Sequence, residues 1–145
     1  MLIKTLKLLK FGVIGLLLTG CVTTLPVDSS ARALCIQTFG TDAYLKVLWL
    51  PIGKVENFTM ILLGNTARQY EIAAAMASAQ EKRVDLVVWT EPNSSAAFVI
   101  EKSLRIPRPD RLERLNFLFV GDVSDADRLR PKIEATGAKF YFHQR

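Results

Sequence analysis

Three short turns gather the residues with the most chemistry to offer. Gly64-Asn65-Thr66, Thr90-Glu91 and Gly121-Asp122 each close an apolar run. In an open α/β sheet, ligands collect beyond the carboxyl ends of the strands, so these turns would share one rim. Thr66 would open a helix whose free amides can hold an anion. Glu91 and Asp122 are carboxylates able to bind a cation or to serve as acid and base. Asn65, Thr66, Glu91 and Asp122 are therefore the candidate ligand rim. Ordinary turn chemistry outweighs that reading, because any such fold needs glycine and small polar residues to turn the chain and cap the next helix.

Other chemistries find less support. Gly64-Asn65-Thr66 lacks a second glycine at dinucleotide spacing and a Gly-Lys-Ser/Thr ending, so no phosphate fingerprint is present. His143 is the only histidine. With two cysteines it cannot build a usual zinc site, and neither metal nor cofactor is expected. Ser94, Ser95 and Ser103 have no glycine elbow, and Cys35 has no visible link to His143. The domain is therefore expected to work without catalysis. Arg105, Arg108, Arg111 and Arg114 form a further candidate set, spaced through a segment broken by Pro107 and Pro109. Guanidinium forks match phosphate, so this segment could meet anionic polymers or lipid headgroups. Asp110 and Glu113 interleave with the arginines and favour a solvated loop instead.

The elements that would position these residues follow from periodicity. Residues 44–50 (YLKVLWL) and 58–63 (FTMILL) read as strands, joined as a hairpin across Pro51 and Gly53. Thr66 and Gln69 make a capping-box pattern opening an Ala-rich helix to about Lys82. Residues 84–90 (VDLVVWT) suit a strand covered on both faces. A helix capped by Asn93 or Ser94 runs to about Leu104. Residues 116–120 (NFLFV) form another buried strand. Asp127 is expected to cap the next helix, which places Pro131 near its first turn, and Gly137 ends that helix. Residues 139–143 (KFYFH) complete the sheet. The expectation is an α/β fold: a three-layer sandwich with a mostly parallel sheet of four or five strands and an antiparallel edge strand at 44–50.

Composition narrows the partners. The chain has 145 residues, half of them hydrophobic, which suits one globular domain behind a leader. Of its +5 net charge, Lys4, Lys7 and Lys10 supply three, leaving +2 on residues 21–145. That small excess, without a basic stripe interleaved with aromatics, excludes an argument for nucleic acid.

The leader has a basic start, an apolar run from Phe11 to Leu18, then small residues and a cysteine, which is signal-peptide order. The uncharged run is about half of the roughly 20 residues that a spanning helix needs. Leu18-Thr19-Gly20-Cys21 resembles the lipobox of bacterial lipoproteins, and the likeness covers the leader only. It implies cleavage before Cys21 and a diacylglycerol on that cysteine. Two or more acyl chains make a stable anchor. Val22 stands where many inner-membrane lipoproteins carry Asp, so the family's sorting rule implies the outer membrane, facing the periplasm. An ordinary signal peptide would instead leave Cys21 free or paired with Cys35. The expected organisation is a signal peptide at 1–20, a lipidated tether at 21–30 and an α/β domain at 31–145. The tether, extended at about 3.5 Å per residue, reaches roughly 30 Å. With Cys21 acylated, Cys35 has no intramolecular partner, and between Leu34 and Ile36 it reads as a small core residue.

The functional expectation is a lipid-anchored envelope protein that binds another protein, as an assembly component or an inhibitor. The alternative is small-ligand binding or hydrolysis at the strand-end rim. Trp49, Trp89, Tyr141 and Phe142 would mark a partner surface only if they face solvent.

Overall fold

The computed structural model describes residues 26–50, 67–91, 95–106 and 111–145. Its elements alternate along the chain. Helix α1 (Pro26–Phe39) precedes strand β1 (Leu45–Leu50), and helix α2 (Ala67–Ala77), with a 3-10 turn (Ser78–Gln80), precedes strand β2 (Val84–Thr90). Helix α3 (Ala96–Ser103), strand β3 (Leu115–Gly121), helix α4 (Val123–Glu134) and strand β4 (Lys139–Gln144) follow. The class is α/β, with a four-stranded sheet in the order β1-β2-β3-β4 and every pair parallel.

The antiparallel edge strand is thereby corrected. β1 runs parallel to β2, with Leu45 beside Asp85 and Leu50 beside Thr90. A connection that carries a helix back across the sheet returns the chain to the end where β1 began, and that geometry makes a parallel pair. The hairpin partner expected at 58–63 lies outside the described residues.

Because the strand order never reverses, each crossover steps in the same direction. Crossovers of one hand then put all their helices on one face. Ile72 and Met76 of α2, Val99 and Ile100 of α3, and Leu129 and Ile133 of α4 accordingly share a core with Leu86, Val88, Phe117 and Phe119. Phe117, Phe119, Phe140 and Phe142 continue that core across β3 and β4, with ring centroids 6.0–6.5 Å apart. Burying each such side chain stabilises the fold by about 1.5–3 kcal/mol.

The opposite face is covered by α1. Ala31, Leu34, Cys35 and Phe39 recur at the spacing of one helical stripe and meet Val87, Leu118, Val120, Trp89 and Tyr141. Gly40, at φ 76°, ends the helix and donates its N–H to the Ile36 carbonyl at 2.8 Å. Residues 40–44 are then enough to reach β1, so α1 runs back along the sheet. Its carboxyl end lies by the strand starts, and Pro26 lies toward the strand ends.

Two boundaries differ from the sequence reading. Residues 26–30, assigned to the tether, belong to α1. Proline suits a first helical position and Asp28 suits the positive pole of the helix dipole. The cap of α4 is Asp122, not Asp127, so Pro131 stands inside the helix. Proline costs the Asp127 carbonyl its helical donor, but both residues are exposed and water can replace it. Among the described residues no helix is long and apolar enough to cross a membrane.

Candidate functional site

The structure closes over part of the expected rim. The Thr90 hydroxyl is buried and donates to the Val120 carbonyl at 2.9 Å, tying the ends of β2 and β3 together. A Cβ on Gly121 would press on this hydroxyl and approach the Phe119 Cζ to 2.8 Å, so the two strand ends meet as closely as a missing side chain allows. Arg145 then crosses the gap. The Arg145 N–H donates to the Gly121 carbonyl at 3.3 Å, and its guanidinium donates to the Thr90 carbonyl. The same guanidinium stands 3.7 Å from the Glu91 carboxylate. Asp122 accepts the Ala126 N–H through its carbonyl at 3.1 Å, so its backbone serves the helix start. Among the described strands the order never reverses, so they form no switch point, the place where neighbouring helices part to leave a crevice. Asn65 and Thr66 lie outside the described residues.

The arginines of the expected loop are dispersed among separate contacts. Arg105 is exposed. Arg111 pairs with Glu113 at 3.0 Å. Arg114 donates from Nη1 to the Glu81 carbonyl at 2.9 Å, linking the start of β3 to the turn before β2. Between them Leu112 is fully buried, and its N–H donates to the Thr136 carbonyl at 2.7 Å. That anchor makes residues 111–114 a fixed turn. Arg108 lies outside the described residues. Trp49, Trp89, Tyr141 and Phe142 are half-buried, whereas among the described residues Ile36, Tyr44, Tyr70 and Val123 are the large exposed apolar side chains.

Among the described residues the densest polar chemistry lies at the other pole, near the strand starts. Asp85 is fully buried on the face covered by α1. Both its oxygens receive the fork of Arg83, Nε to Oδ1 at 3.1 Å and Nη2 to Oδ2 at 3.0 Å. Asn116 Nδ2, from the neighbouring strand, donates to Oδ1 at 2.6 Å. The Tyr44 ring lies 4.9 Å from the Arg83 guanidinium carbon, and the Asp85 N–H donates to the Tyr44 carbonyl at 3.0 Å. The hydrogen bond to Asp85 pushes the Arg83 pKa above its ordinary value, which holds the guanidinium charged. A buried charge left unpaired is costly, and here both carboxylate oxygens have partners. Sequence reasoning passed over Asp85 as part of an apolar strand. The available signal was an acid two residues after Arg83, on the same strand face, amid β-branched neighbours.

Cys35 lies beside this network, fully buried, with Sγ 3.3 Å from the Thr41 carbonyl. Burial, then Asp85 and Asp42, push its thiol pKa up, which holds it protonated and unreactive. His143 is exposed on β4. The arrangement orients and fixes groups more than it activates them, since both oxygens of Asp85 accept hydrogen bonds and the nearby thiol is held neutral.

Two cavities flank α1. One, of about 420 Å³, opens at the strand starts between Thr38 and Phe39 of α1 and Arg83, Arg114, Asn116, Lys139 and Tyr141. The other, of about 630 Å³, lies between α1 and β1, with Ile36, Leu45 and Val47 on its apolar side and Asp28, Arg32 and Asp42 on its polar side. Arg32 and Asp42 form an ion pair there. Comparison of the chain with protein-family models, curated proteins and solved structures gives no match.

Proposed function

We propose that this chain is a lipid-anchored envelope protein, cut before Cys21 and held in the outer membrane facing the periplasm. Its α/β domain, read as a three-layer sandwich, binds a protein partner without catalysis and serves as an assembly component or an inhibitor. The observation that carries this reading is the placement of Arg145 over the ends of β2 and β3, beside Glu91 and Thr90. The Arg145 side chain occupies ground that a small-ligand site in such a fold would need. Exposed Ile36, beside the apolar side of the α1–β1 cavity, further supports a partner surface. The alternative of a ligand at Glu91 and Asp122 would require Arg145 to move aside.

The geometry also suits an anchor. Pro26 starts α1 only five residues after Cys21. At about 3.5 Å per residue, that spacing keeps the strand-end pole within roughly 20 Å of an acylated Cys21. Growth with labelled palmitate tests the anchor. The wild type should incorporate label and fractionate with membranes, whereas Cys21→Ala should remain an unlabelled precursor. Normal maturation of Cys21→Ala would overturn the assignment.

A further inference from the structure

We propose that the 420 Å³ cavity at the strand starts is a binding pocket for a phosphate dianion, as inorganic phosphate or a phosphate monoester. The inference goes beyond the partner-binding reading and stands whether or not Cys21 carries lipid. It rests on how charge is distributed around the cavity.

Of the three cations among the residues that line it, Arg83 is already compensated, forked onto Asp85. The other two are not. Arg114 meets a backbone carbonyl, which leaves its positive charge unneutralised and much of its guanidinium open. Lys139 is exposed at the first position of β4 and has no carboxylate partner among the described residues. Two uncompensated positive charges therefore face one cavity. A phosphate monoester carries about −1.5 to −2 charges at neutral pH, with three acceptor oxygens.

The neutral lining supplies the matching donors. Thr38, Tyr141 and Asn116 line the same space, and their side chains are of the types that donate through a hydroxyl or an amide. Tyr141 is held by Phe39, edge to face at 4.9 Å, and Asn116 is held by Asp85, so these donors are fixed before any ligand arrives. A carboxylate would use fewer of the donors and one of the two charges. Glu113 also lines the cavity, but its exposed carboxylate is engaged by Arg111. Because α1 spans 14 residues, about 20 Å at 1.5 Å per residue, the pocket lies at the pole opposite Pro26. A membrane anchor at Cys21 would leave the pocket facing away from its own leaflet, which favours a free phosphate or an ester over that leaflet's headgroups.

The test is titration of the full chain in detergent with inorganic phosphate, followed by calorimetry and by amide shifts of Lys139 and Asn116. Sodium acetate and phosphatidylglycerol vesicles serve as the other arms. The expected result is saturable phosphate binding that weakens about five- to tenfold in Lys139→Gln, the scale of one exposed charge contact. Binding should weaken further in the Lys139→Gln/Arg114→Gln double variant. It should also fall as acidification protonates the phosphate dianion. Lys139 is exposed, so its variant keeps the fold, and matching thermal unfolding verifies this. Equal binding by wild type and Lys139→Gln, acetate binding as tight as phosphate, or binding to the vesicles without binding to phosphate would each overturn the proposal.

Discussion

The guanidinium of Arg145 stands 3.7 Å from the carboxylate of Glu91, which sets Arg145 across the carboxyl ends of the central strands. The two side chains are 26% and 46% exposed, so solvent screens their attraction and the backbone contacts of Arg145 share the role. Arg145→Ala should therefore lower stability by only about 0.5–1 kcal/mol. Urea unfolding measures this, and a loss several times larger would mean that the rim contact organises the fold.

Arg83 and Asp85 should respond unequally to substitution. Arg83→Ala leaves a fully buried carboxylate with Asn116 as its remaining side-chain donor, and should cost about 3 kcal/mol or more. Asp85→Asn keeps the shape and removes the buried charge, while Arg83, 40% exposed, can turn to water. It should cost less, about 1–2 kcal/mol. The same urea series decides the order, and a smaller loss for Arg83→Ala would contradict this account of the network.

Glu101 joins α3 to α4 by accepting hydrogen bonds from Arg128 Nε at 2.5 Å and Lys132 Nζ at 2.7 Å. The Arg128 hydrogen bond first, then Lys132, hold its pKa below the ordinary glutamate value against some desolvation. A depressed folded-state pKa gives stability that is present above the unfolded value, about 4.3, and is lost as pH falls through the lower folded value. Thermal unfolding from pH 6 to 3 should show that loss below about pH 4.3. Glu101→Gln should cost about 1 kcal/mol at pH 7 and flatten this part of the profile, because both cations are about half exposed.

Cys35 should resist alkylation in the folded protein. Burial and the nearby Asp85 and Asp42 both disfavour the thiolate. Iodoacetamide should label it at the rate of global unfolding, rising sharply in urea. Fast labelling of the native Cys21→Ala chain, in which Cys35 is the remaining thiol, would show an open route to the sulfur.

The elements themselves were legible wherever burial on both faces left an apolar run. The β2 and β3 strands were readable from VDLVVWT and NFLFV, and Gly137, at φ 87°, marks the end of α4 as expected. The direction of β1 was not legible, because strand composition records burial and not the orientation of a neighbour. Helix α1 was hidden for a different reason. Its buried stripe consists of Ala31, Leu34, Cys35 and Phe39, small residues mixed with large, and its first turn carries the proline and serines of a linker. The rim residues Glu91 and Asp122 were correctly placed at strand ends, but the sheet order and the reach of Arg145 are long-range facts. Asp85 was visible as an anomaly, and its meaning depended on Asn116 from another strand.

Crosslinking of the acylated protein in its native envelope, followed by affinity purification, tests the central claim most directly. The account predicts one protein partner recovered in stoichiometric amount with the wild type. Recovery of the protein alone, under conditions that capture known envelope complexes, would contradict it.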